Sequence, residues 1–114
     1  MQRVFQQVIN LGPTLAANHT ASFKMPFDAQ LLHVSACNST ANAGKLDIGS
    51  DSDADAYLDN QDFGVSGAPA EYERTDFVGD QFPHVSDGAI VKVTITDHAS
   101  HMANVCVALT WTEG

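Results

Sequence analysis

Two stretches near the C-terminus leave little choice of fold. In Ala89–Thr96, "AIVKVTIT", and Val105–Thr112, "VCVALTWT", apolar and polar residues alternate with a period of two. A β-strand sends successive side chains to opposite faces, so this pattern specifies sheets with one buried face. It also pins the register. A slip of one residue would turn Val91, Val93 and Ile95, or Val105, Val107, Leu109 and Trp111, toward water.

Shorter runs repeat the theme. Val4–Leu11 reads as a first strand ended by Gly12-Pro13. "HTASFKMPFDA" sets Ala21, Phe23, Met25 and Phe27 against Ser22 and Lys24, and Pro26 marks an edge or a bulge. In Gln30–Cys37, Leu32, Val34 and Ala36 share one face; Leu31, His33, Ser35 and Cys37 share the other. "GKLDIG" points Leu46 and Ile48 inward, and "YERTDFV" reads as a further strand. Helix is expected only as one or two turns in "DADAYLD", with Asp53 or Asp55 as N-cap. About eight short strands at roughly ten-residue spacing predict an all-β, antiparallel two-sheet sandwich. A jelly roll is the expected topology, and a different Greek-key sandwich is the alternative. The 114 residues suit one domain at 13–114, with 1–12 as a first strand or an N-terminal arm.

Charge excludes some functions. The formal net charge is -9, from 14 acidic against 5 basic side chains. Such a chain lacks the Lys and Arg that displace counterions from nucleic acid or bind anionic membranes. The start carries no apolar signal-peptide core, and no run is long enough to span a bilayer. Cys37 and Cys106 form neither a disulfide framework nor a CxxC site, so they are expected as free thiols in a product made in cytoplasm.

The acidic stretch "DIGSDSDADAYLDNQD" is the first candidate for chemistry. Counted from Asp51, an EF-hand-like spacing places Asp51, Asp53, Asp55, Asp59 and Asp62 as oxygen ligands, and calcium is the one cofactor candidate. Ala56 stands where the loop needs Gly, Asp62 replaces the long bidentate Glu, and no helices flank the segment. A solvated, capped turn is therefore favoured over a metal loop. His98 and His101, near Asp97, lack further ligands for a transition metal. There is no nucleophile elbow, phosphate loop or dinucleotide fingerprint, and no enzyme is expected. Phe23, Phe27, Phe77, Phe82 and Trp111 read as core. The second faces of two strands, Asn104, Cys106, Ala108, Thr110 and Thr112 with Leu31, His33, Ser35 and Cys37, are small and scarcely charged. Subunit contact and a covering loop or closed barrel both account for that.

Taken together, Phe23–Asp59 and Phe82–Gly114 carry a resemblance. The "FKMPF" opening, the "IG…DADAYL" segment, the "DGAIVKVT" strand and the closing "NVCVALT" strand resemble the small β-sandwich virion proteins of tailed bacteriophages. Many of those are capsid decoration, or cement, proteins. The resemblance implies a mechanical role with no catalytic residues. The implied form is a homo-oligomer, expected as a trimer. It would bind the major capsid protein on the outer surface of a virion assembled in the host cytoplasm. Met1–Asn10 lies outside the resemblance and is a candidate contact arm. The candidate interface residues are Val4, Phe5, Val8, Leu31, His33, Cys37 and Cys106. The alternative function is a calcium-dependent, carbohydrate-binding jelly roll of a phage tail or fibre.

Overall fold

The computed structural model describes residues 3–114; Met1 and Gln2, the tip of the expected arm, lie outside the described residues. The strands are β1 Val4–Thr14, β2 His19–Lys24, β3 Ala29–Cys37, β4 Lys45–Ser50 and β5 Leu58–Asp62. They continue with β6 Ala70–Tyr72, β7 His84–Val85, β8 Ile90–Thr96 and β9 Ala103–Glu113. One sheet has the order β1-β9-β3-β6, with β7 also paired to β3, and the other the order β2-β8-β4-β5. All strand pairs are antiparallel. The chain passes between the sheets at β1–β2, β2–β3, β3–β4, β5–β6, β7–β8 and β8–β9, which is the double Greek key of a jelly roll.

The alternation seen in the sequence is realised in the packing. Val91, Val93 and Ile95 of β8 and Val105, Val107, Leu109 and Trp111 of β9 are buried against Leu46, Ile48, Leu58 and Val34 in one core. Trp111 anchors one end. Its ring lies 6.3 Å from Phe5 and 6.4 Å from Phe23, and its indole N–H donates to Gln7 Oε1 at 2.9 Å. Phe5 also meets Phe27 edge-on at 5.3 Å. The partner is therefore present for the one polar group this large apolar side chain brings inside.

Four expectations need correction. A β-bulge between Leu31 and His33 interrupts the alternation of β3. Leu31 consequently faces the core opposite Trp111, fully buried, while Leu32 is only half-buried. "DADAYLD" forms no helix: Asp53–Tyr57 is a turn and Leu58 already begins β5. Ser50 N–H donates to Asp53 O at 2.8 Å, folding the turn so tightly over β4 that a Cβ on Gly49 would fall 2.1 Å from Asp53 O. "YERTDFV" is not a strand beyond Tyr72. It becomes two 3-10 turns, Arg74–Asp76 and Val78–Asp80, with Asp76 Oδ2 accepting from Glu73 N–H at 2.9 Å and Gly79 at a positive φ of 79°. These turns bury Phe77 but leave Phe82 36% exposed, so Phe82 is not core.

Candidate functional site

The outer face of the first sheet is built from the non-core residues of β1, β9 and β3. The registers align Val4, Thr112 and Gln30 in one row, then Gln6, Thr110 and His33. Val8, Ala108 and Ser35 follow, then Asn10, Cys106 and Cys37. None of these twelve side chains carries a fixed charge. Val4 and Val8 are 67% and 54% exposed, and Gln6 Nε2 donates to Thr110 Oγ1 at 3.0 Å. Glu71, in the row of Ser35 on β6, and Glu73 and Arg74 just beyond β6 put charge at the border of this face. Five of the seven sequence-derived contact residues, Val4, Val8, His33, Cys37 and Cys106, thus come together on one surface. Phe5 and Leu31 do not: Phe5 packs inward against Phe27 and Trp111, and the bulge puts Leu31 in the core.

Cys37 and Cys106 are direct cross-strand partners and are free thiols. Burial, and then the neighbouring Cys106, push the Cys37 thiol above its ordinary range. That disfavours the thiolate and its reactivity.

The outer face of the second sheet is the reverse. All three lysines of the chain, Lys24, Lys45 and Lys92, lie on β2, β4 and β8 at non-core positions. Lys92 Nζ is 3.1 Å from Asp51 Oδ1, and Lys45 is paired with Asp62. These pairings divide the five acidic residues of the candidate calcium loop. Asp51 and Asp62 are neutralised by lysines, and Asp53 shares a hydrogen bond with Asp55 that pushes its carboxyl upward. The acidic side chains that do converge are Asp47, Asp55 and Asp59, with oxygens within 4.8 Å of one another. Asp47 was not in the sequence-derived set; only the β4–β5 pairing brings it to Asp59, and its Oδ1 accepts from Asn60 N–H at 2.7 Å.

A further polar cluster lies in the β8–β9 connection. Asp97 Oδ1 accepts from His98 N–H and Met102 N–H, each at 2.9 Å, and Oδ2 lies 2.6 Å from His101 Nδ1. Burial pushes the Asp97 carboxyl up, but the hydrogen bonds from His101, Met102 and His98 prevail and hold it below the usual carboxylate range. His98 Nδ1 is itself used, accepting from Ser100 N–H at 3.0 Å. Each group here closes the β8–β9 connection. Tyr72, donating to Asp62 O, is pushed up to about 12 by burial and by Asp62 and Asp76.

The outward positions of β1, β9 and β3 carry no fixed charge on a chain of net charge -9, a depletion of charge shared with the centres of contact surfaces. The fold resembles a phage capsid chain. That chain belongs to the Cyanophage Pam1 capsid asymmetric unit, with 17% sequence identity and a TM-score of 0.59, over 99% of this chain and 85% of that one. At this identity the likeness is one of fold. The sequence matches no protein-family model and no curated relative. Among the described residues no helix is long and apolar enough to cross a membrane.

Proposed function

We propose that this chain is a non-catalytic structural protein of a phage virion, acting as a capsid decoration protein that self-associates and braces the head lattice. The observation that carries the reading is the uncharged outer face of β1, β9 and β3. A monomer with no partner would be expected to spread its charges over both sheets. The likeness in fold to a capsid chain supports the same reading, as does the sequence resemblance to small β-sandwich virion proteins. A rigid sandwich with a flat contact face suits bracing, because several modest contacts at subunit junctions combine through avidity. The acidic remainder of the surface would keep free copies apart and steer them toward basic patches of a major capsid protein. The expected assembly is a homo-oligomer, with a trimer as the first candidate, on the outer surface of the head. Addition of the purified protein to capsids lacking it should raise their thermal disruption temperature. Absence of capsid binding would overturn the decoration role.

A second reading, a calcium-dependent carbohydrate-binding jelly roll of a tail or fibre, rests on Asp47, Asp55 and Asp59. Three converging carboxylates are fewer oxygens than the six to eight that calcium takes. If this reading holds, calcium raises the melting temperature and EDTA lowers it. Indifference to both removes it.

A further inference from the structure

His33 stands apart from the other histidines. It lies on the outer face of β3, two residues before Ser35, whose partner across the β3–β6 pairing is Glu71; Glu73 follows just after β6. His33 Nε2 is 3.5 Å from Glu71 Oε1, and the ligand atoms of His33, Glu71 and Glu73 all lie within 4.8 Å of one another. Zn²⁺ bonds of about 2.0 Å place tetrahedral ligand atoms roughly 3.3 Å apart, so His33 and Glu71 already stand near that separation. Glu73 is exposed, and to bind an ion it would give up the capping-box contact that its side chain makes with the Asp76 backbone N–H. Arg74 lines the adjoining cleft, but among the described residues it forms no ion pair with Glu71 or Glu73, and its Nη1 donates to Asp80 O at 2.9 Å. Among the described residues, the one ion-pair partner of Glu71 is His33 itself. His98 and His101, by contrast, are already engaged within their own loop.

We propose that His33, Glu71 and Glu73 form a binding site for a divalent transition-metal ion of the Zn²⁺ type. One imidazole with two carboxylates is a borderline donor set that suits Zn²⁺, Co²⁺ or Ni²⁺ rather than calcium. The chain's net charge of -9 concentrates cations around it. The site opens beside a cleft of about 300 Å³ lined by Leu32, His33, Glu73, Arg74, Thr75 and Phe82. Its fourth coordination position is thus free for water or for a donor from whatever covers this face. The inference rests on local geometry and is independent of the virion role.

The test is a titration of the full chain with Co²⁺, followed by its visible d–d absorption, with Zn²⁺ added as competitor and Ca²⁺ as control. The expected result is one Co²⁺ per chain, displaced by Zn²⁺ and not by Ca²⁺. His33→Gln and Glu73→Gln should each weaken binding at least about tenfold, while His101→Ala leaves it unchanged. Glu73→Gln is an exposed, near-isosteric change, so it keeps the test valid if His33→Gln perturbs folding. No Co²⁺ or Zn²⁺ binding up to millimolar concentration would overturn the site. Binding that survives both variants, or that is lost with His101→Ala, would also overturn it.

Discussion

The two sheets bury equivalent apolar faces and yet present opposite faces outward. The outer side of β2, β8, β4 and β5 holds Lys24, Lys45 and Lys92, and two of these pair with Asp62 and Asp51. The outer side of β1, β9 and β3 has polar and small apolar side chains in four rows and no fixed charge. The inward halves of the strands hold the fold together in the same way, so the difference is not one of stability. On the proposed function, it separates the sheet that faces water from the sheet that is covered. Charged side chains lose hydration when covered, whereas Thr, Ala, Ser, Gln and Cys can be covered at small cost.

The comparison depends first on where β3 turns. If the bulge puts Leu31 inside and Leu32 at the margin, Leu31→Ala should destabilise the chain by about 2–5 kcal/mol. Leu32→Ala should cost about 1 kcal/mol or less. Urea unfolding of the two variants decides this, and equal losses would erase the assignment of faces on β3.

The next effect concerns the connection that ties the two sheets together. Asp97→Ala removes the acceptor of two backbone N–H groups and the partner of His101, and a loss of about 1–3 kcal/mol is expected. The folded Asp97 carboxyl lies below its unfolded value of about 3.9. Its contribution is therefore fully present above that value and is lost as the pH falls through the lowered folded value. Melting curves of wild type and Asp97→Ala should differ at neutral pH and converge as the solution is acidified through that range. A gap that persists in strong acid would contradict the assignment.

The smallest effect belongs to the charged face. Lys45→Met and Lys92→Met should each change stability by less than about 1 kcal/mol, because exposed pairs are screened by solvent. A larger loss would mean that the second sheet's charges are structural and not merely solvating.

Much of this was legible in the chain. The alternation of Val91, Val93, Ile95 and of Val105 to Trp111 specified strands, faces and core, and the turn spacing specified a sandwich. The small residues on β9 and β3 pointed to the uncharged face. Four features were hidden for physical reasons. Leu31 and Leu32 are identical in hydropathy, so no pattern distinguishes which one a bulge sends inward. Asp47 joins Asp55 and Asp59 only through the β4–β5 pairing, and Glu71 and Glu73 join His33 only through the β3–β6 pairing. Sequence distance carries no trace of such contacts. In Arg74–Asp80, a strand-like composition gave way to 3-10 turns because Asp76 caps Glu73 N–H and Gly79 adopts a positive φ.

The central claim is that the face of β1, β9 and β3 is the contact face, and matched charge insertions test it most directly. Ala108→Asp and Ser22→Asp each add one negative charge to an outward strand position, on opposite sides of the sandwich, the second of them opposite Lys92. Sedimentation of wild type and both variants at the same concentration and salt isolates the effect of place from that of net charge. The expected result is an oligomer for wild type and Ser22→Asp and a monomer for Ala108→Asp. A monomeric wild type, or equal behaviour of the two variants, would contradict it.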